Sequence, residues 1–228
     1  MPALPPLTRF DAPDQLAALG PMNHPLDPRV EATYGYNPLQ LARYREFRAA
    51  CAHNPKLRDS LSVSCGIDTK AGTLIEHPSS LRRAYFPTDL LMVPNEAEAL
   101  KALNTLDPPR QAVLAGARAV QQDPGATATL NEDGELGYRV QYETGTPGLL
   151  RVSIPYFPGW QATIDGVACP VLPVDHAMTA VVVPAGDKEL KLHFRSTYFA
   201  TGAGLSGFGI LLLAGLGAVA WRRRGQTQ

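Results

Sequence analysis

From Gly137 onward, apolar and polar residues take turns. Tyr138, Val140 and Tyr142 share one face of a segment whose other face carries Arg139, Gln141 and Glu143. Leu150, Val152 and Ile154 alternate with Arg151 and Ser153, and Leu190, Leu192 and Phe194 repeat the pattern after the apolar run Val181–Val183. A period of two is that of a strand with one buried face. Turn residues punctuate these runs at Thr146-Pro-Gly148, Phe157-Pro-Gly159, Asp165-Gly166 and Ala185-Gly186. Short strands at this spacing predict a β-sandwich over residues 137–197. Asp165-Gly166, between Ala162-Thr-Ile164 and Val167-Ala-Cys169, is the strongest hairpin signal in the chain.

Upstream the period changes. Leu39, Leu41, Tyr44, Phe47 and Cys51 recur at helical spacing, with Asn37-Pro38 suited to open a helix and Asn54-Pro55 to end it. Arg83–Phe86 and Leu90–Val93 read as strands around Pro87. Residues 94–103 read as a helix capped by Asn95, with Glu96 and Glu98 in its first turn, and Gln111–Ala115 as a further strand. Residues 1–36 are proline-rich and irregular, with one short helix expected over Ala12–Leu19. Residues 116–136, small and polar, read as a linker. The fold class expected is α+β. A small α/β region (37–115) leads to a C-terminal antiparallel β-sandwich and one C-terminal transmembrane helix.

That helix is expected over residues 198–221. No Asp, Glu, Lys or Arg falls in the 23 residues from Phe199 to Trp221, and about 20 apolar residues span a bilayer core. Tyr198, Phe199 and Trp221 sit at its two ends, where interfacial aromatics belong. Small residues four apart (Gly202 with Ser206, Ala203 with Gly207, Ala214 with Ala218) would let a partner helix approach closely. Gly202, Gly204 and Gly207 also satisfy G-x-G-x-x-G, but no βαβ unit or later acidic residue accompanies them, so no dinucleotide site is read there.

Arg222, Arg223 and Arg224 form a basic tail, 222–228, that the positive-inside rule keeps in the cytoplasm. The preceding domain is then expected outside. The first twenty residues lack a basic region followed by an apolar one, so they do not read as a signal peptide. Export by earlier spans of a longer protein reconciles the two; a tail-anchored cytoplasmic domain reconciles them less well, because it reverses the charge bias.

Net charge is zero, from 21 basic and 21 acidic residues, and the basic residues form no stripe, so nucleic acid is not an expected partner. Three cysteines, Cys51, Cys65 and Cys169, show no metal-ligand spacing; a Cys51–Cys65 disulfide and free thiols both remain open. The five histidines are scattered, so no metal site or cofactor is expected. Asp175-His176, placed on a strand, would diverge to opposite faces rather than converge on a substrate. Ser60, Ser62 and Ser64 lack a nucleophile elbow, and Asp165 reads as a turn residue. No catalytic residue is assigned. The substrate-binding candidates are Tyr156 and Trp160, whose rings could stack on a sugar; Trp160 equally suits a plug beside the sandwich core.

Tyr156-Phe-Pro-Gly-Trp160 running to Asp165-Gly166, followed by Val183-Pro-Ala-Gly186, resembles the C-terminal end of the YfhO family of bacterial multi-pass membrane proteins. Gly35-Tyr-Asn-Pro-Leu39 with Arg43-Tyr44, and Leu81-Arg-Arg-Ala-Tyr-Phe86, fit the same family, the latter with Arg82 where proline is usual. The resemblance implies a glycosyltransferase-like membrane protein using polyprenyl-phosphate sugars, whose catalytic acid lies in an early extracytoplasmic loop unmatched here. It implies an accessory extracytoplasmic domain plus last span, a piece lacking the catalytic region, in the bacterial cytoplasmic membrane. Its partners would be membrane lipid, neighbouring transmembrane helices and a glycan or lipid-linked sugar. The alternative is a free-standing membrane-anchored glycan-binding or assembly module.

Overall fold

The computed structural model describes residues 8–10, 30–33, 41–68, 73–116, 120–134, 137–196 and 198–224. In chain order the strands are β1 (Thr8–Phe10), β2 (Val30–Ala32), β3 (Cys65–Asp68), β4 (Thr73–Glu76), β5 (Ala84–Tyr85), β6 (Asp89–Val93), β7 (Gln111–Ala115) and β8 (Thr127–Glu132). They continue as β9 (Gly137–Thr144), β10 (Gly148–Pro155), β11 (Trp160–Ile164), β12 (Val167–Cys169), β13 (Val171–Val174), β14 (Met178–Val183) and β15 (Gly186–Phe194). The helices are α1 (Ala42–His53), α2 (Glu96–Ala102) and α3 (Phe199–Arg224), with a 3-10 turn at Pro55–Leu61.

Two antiparallel sheets face each other. One runs β13-β14-β10-β5 and the other β12-β11-β15-β9-β8. Their inner faces supply one apolar core: Leu150, Val152, Val181 and Val183 from the first, Val140, Ala162, Leu190 and Leu192 from the second. This is the architecture the alternating segments predict. The α+β class, with antiparallel sheets and few helices, is what the chain adopts.

The four-stranded sheet is covered on both faces. Leu149, Met178 and Ala180, one step out of phase with the sandwich core, pack instead with Phe47 of α1, Ala99 of α2 and Val113 of β7. Hence β10 is buried from Gly148 to Ile154, including its polar residues. The polar side of this strand, which by alternation alone should meet water, meets a third layer.

That layer is built as its sequence suggests in most places. β6 and β7 pair in parallel around α2, and Asn95 caps α2 by accepting from the Glu98 N–H at 3.0 Å. α1 begins at Ala42, after the extended Leu41, with no side-chain cap; the expected Asn37-Pro38 opening lies outside the described residues, as does Ala12–Leu19. Asn54 and Pro55 end α1 where expected. The region read as a linker contains β8, an edge strand registered with β9 from Thr127 to Glu132. Only Ala128 and Leu130 reach the core there, too few apolar residues for the alternation to stand out. None of the three cysteines is in a disulfide: Cys51 is buried in α1 and Cys65 lies in β3, so the Cys51–Cys65 bridge is not formed.

Candidate functional site

Among the described residues, two consecutive non-glycine residues with positive φ occur where β13 joins β14. Asp175 and His176 both have positive φ, 48° and 63°, and Ala177 donates its N–H to the Asp175 carbonyl at 2.7 Å. A positive φ in non-glycine residues is strained by about 1–3 kcal/mol each, and such strain concentrates where surroundings over-determine the backbone. Both residues are buried, at 1% and 7% exposure. The expectation that they sit on a regular strand is therefore corrected: they form the tip of a tight turn. The physical reason is that the apolar runs 171–174 and 178–183 pair with each other and leave these residues to reverse the chain.

Everything around the turn holds it. The Asp175 N–H donates to the Val113 carbonyl at 2.8 Å, and its carboxylate accepts from the Val113 N–H at 2.9 Å, docking the turn on β7. The other carboxylate oxygen takes the Arg151 Nε–H at 2.6 Å, in a pair that is essentially dry. Arg151 reaches on to the Ser60 carbonyl at 3.0 Å, which also accepts from the Ser153 hydroxyl at 3.0 Å. Arg9 donates to the Leu61 carbonyl at 2.7 Å and the Ser153 carbonyl at 3.0 Å. The Arg151 guanidinium also lies over the Tyr85 ring at 5.2 Å, and burial pushes the Tyr85 phenol well above its usual range. These groups thus tie six chain segments, β1, the 3-10 turn, β5, β7, β10 and the β13–β14 turn, where the sheet β13-β14-β10-β5 meets the α/β layer.

His176 faces the other way. Its Nε2 lies 2.7 Å from Glu46 of α1 and its Nδ1 3.5 Å from Glu96 of α2. Arg43 joins Glu96 at 3.1 Å, donates to the His176 carbonyl at 3.3 Å and sits over the Tyr156 ring at 6.0 Å. The arrangement sets a nearly buried imidazole between two carboxylates. Among the described residues no group of His, Cys, Asp and Glu is placed to hold a metal.

The two stacking candidates part company. Tyr156 belongs to the Arg43 neighbourhood. Trp160 opens β11 and packs half-buried against Tyr138 at 5.9 Å and Phe194 at 5.5 Å, at the rim of the sandwich core. Between them Gly159 has φ 129°, and a Cβ there would fall 2.8 Å from the Phe194 ring and 2.9 Å from the Arg195 carbonyl. Arg195 in turn donates its N–H to the Gly159 carbonyl at 2.9 Å. The Pro-Gly-Trp sequence is thus a clasp that closes the loop after β10 onto the end of β15. Sequence reasoning did not find the Arg151–Asp175–His176–Glu46 arrangement. A polar pair where an Asn-Gly would be easier, between two apolar runs, was the signal that could have done so.

Past the clasp, α3 carries Leu205, Phe208, Ile210, Leu211, Leu212, Leu213 and Leu216, between 52% and 72% exposed. Residues 201–217 are its stretch of described side chains. Among the described residues no helix is long and apolar enough to cross a membrane.

An antiparallel sandwich backed by a small α/β layer and running into an apolar helix is therefore the class of structure to be matched. The family model described as bacterial membrane protein YfhO matches residues 102–206, just under half of the chain, from the end of α2 through every strand of the sandwich but β5 into the start of α3. Over those residues the chain is similar to the YfhO family, the same family that the Pro-Gly-Trp, Asp-Gly and Val-Pro-Ala-Gly motifs resemble. No curated protein and no solved structure matches the chain.

Proposed function

We propose that this chain is a non-catalytic, extracytoplasmic domain of a YfhO-like membrane protein, seated on the bacterial cytoplasmic membrane by α3 as a transmembrane span. The observation that carries the reading is the surface of α3. Ile210, Leu211, Leu212 and Leu213 are consecutive, so at 3.6 residues per turn they face all sides of the helix, and all are exposed. A helix apolar all round belongs in a protein core or in lipid. Among the described residues no core covers this one. The uncharged run from Phe199 to Trp221 continues beyond the described side chains, and 26 helical residues extend about 39 Å, against a hydrocarbon core of about 30 Å. The arginines after Trp221 favour a cytoplasmic C-terminus and hence an external sandwich.

In this position the domain would shape access to a glycosyltransferase-like site elsewhere in the membrane protein, or contact its glycan acceptor. The buried polar junction supports a scaffolding role, because its charged groups bond to one another and to main-chain carbonyls inside the fold. A second reading, a membrane-anchored assembly module, draws on α3 as well: added Cβ atoms at Gly202, Gly204, Gly207 and Gly209 would meet nothing within 4 Å, leaving room for a partner helix.

The test is topology. In a chain with Cys51, Cys65 and Cys169 replaced, Val167→Cys and, separately, Gly225→Cys are labelled in intact cells with a membrane-impermeant thiol reagent. Labelling at 167 alone is expected. Labelling at 225 alone would place the sandwich in the cytoplasm and remove the physical basis of the reading. Turnover of a lipid-linked sugar by the purified chain would sink the non-catalytic part.

A further inference from the structure

The aromatic clasp sits at one end of the five-stranded sheet, and it is the end from which α3 departs. Trp160 is registered opposite Phe194, the last residue of β15. Phe157 packs on Phe194 at 6.0 Å and is still 41% exposed. Pro158 beside it is exposed, as are Arg195 and Tyr198 further along the chain, Tyr198 at 80%. Five residue steps separate Phe194 from Phe199, the first residue of α3, so the chain can carry the two no further apart than roughly 17 Å.

We propose that the Phe157-Pro158 tip, with Trp160, Phe194, Arg195 and Tyr198, is a membrane-interface docking surface that rests the sandwich on the lipid headgroups. The proposal rests on the reading of α3 as a span. If α3 enters lipid at Phe199, the short connection confines the aromatic end to the neighbourhood of the bilayer surface. Headgroup regions extend roughly 5–7 Å beyond the hydrocarbon on each side, and rings with one apolar and one wet side partition there. The exposed Arg195 guanidinium supplies a cation for lipid phosphates at the same level. The clasp also fixes the geometry: the Gly159–Arg195 hydrogen bond and the close approach of Gly159 to Phe194 lock the loop to the strand that leads into α3. The opposite end of the same sheet, at Asp165-Gly166, carries a Lys188–Asp165 ion pair, and its aromatic residue Tyr142 is buried in the core.

Fluorescence quenching tests this in the full chain, reconstituted into phosphatidylcholine–phosphatidylglycerol vesicles with lipid brominated high on the acyl chain. One variant carries Phe157→Trp with Trp160→Phe and Trp221→Phe; its control carries Val167→Trp on the same background. A chain with Trp221→Phe alone keeps the native clasp and reports through Trp160. Resistance to alkaline carbonate extraction is measured on each preparation. The expected result is carbonate-resistant chain, with quenching at position 157 and of Trp160 several times that at position 167. Carbonate-resistant chain with quenching at 157 and of Trp160 no greater than at 167 overturns the docking surface while leaving the span intact, and means that protein or water covers the clasp. Extraction by carbonate removes the span reading itself, and the docking surface with it.

Discussion

Two turns of the sandwich begin with aspartate and run through positive φ, and they stand in opposite surroundings. Asp165 and Gly166, at 51° and 81°, join β11 to β12 in open solvent. Asp175 and His176, at 48° and 63°, join β13 to β14 between two layers. In the first, glycine takes the second left-handed position, a Cβ added there would meet nothing within 4 Å, and the exposed aspartate pairs with the half-buried Lys188. In the second, a histidine takes that position, and Arg151, Val113, Glu46 and Glu96 hold the turn. The first turn is specified by its own residues. The second is specified by everything else, and its strain is tolerated because breaking it would strand a buried charge.

The largest effect should come from cutting that tie. Asp175→Ala leaves the Arg151 guanidinium buried without its carboxylate, a loss of about 3–5 kcal/mol, read as a lower denaturation midpoint. Replacing Arg151 by Met in the same chain should recover much of this, because an apolar pair of similar volume often matches a buried ion pair. A double variant no better than the single one would mean that Arg151 does its work through the Ser60 carbonyl instead.

Backbone strain comes next. His176→Gly should be more stable than His176→Ala by about 1 kcal/mol, since only glycine adopts φ 63° freely. Equal midpoints would show that the turn relaxes once the imidazole is gone. At the exposed turn, Gly166→Ala should cost about 1 kcal/mol, all of it backbone, as the added methyl meets open space. Asp165→Ala should cost less than about 1 kcal/mol, the range of solvent-exposed ion pairs, and that small cost should fade with salt.

Each turn also has a tyrosine in its field. Burial, reinforced by Asp165, pushes the Tyr142 phenol up to about 12, and burial raises Tyr85 further, against the opposing pull of Arg151. A phenol raised in the folded state contributes stability that is fully present below its unfolded value near 10. That stability is lost as pH rises through the folded value. Denaturant midpoints should therefore hold up to pH 10 and fall between pH 10 and about 12. Tyr142→Phe should flatten part of that fall and leave the midpoint at neutral pH nearly unchanged.

The same contrast explains what the sequence discloses. Asp165-Gly166, the Asn95 cap and the alternation in β9 are local, with cause and effect a few residues apart, and each is legible. Ser153 and Arg151 look like the wet side of β10, because nothing near them in sequence tells of the layer that covers them. The residues that do so, Ser60, Leu61 and Arg9, lie about 90 to 144 positions away. β8 is hidden for another reason: an edge strand with two buried residues leaves too weak a pattern. The motif Pro-Gly-Trp was visible as a family mark, but its physical meaning, a glycine pressed against Phe194 and Arg195, needed the third dimension.

β15 is an inner strand of its sheet, registered with β9 from Gly186 to His193 and with β11 from Trp160 to Ile164, and it is the strand that leads to α3. Ladder hydrogen bonds run across the strands. A pull delivered through the helix along β15 therefore loads both ladders in shear, all rungs together, rather than peeling them one by one. The strand next to the helix is held on both sides, so displacement of the helix in its surroundings would move the sandwich as a rigid body before it unravelled it.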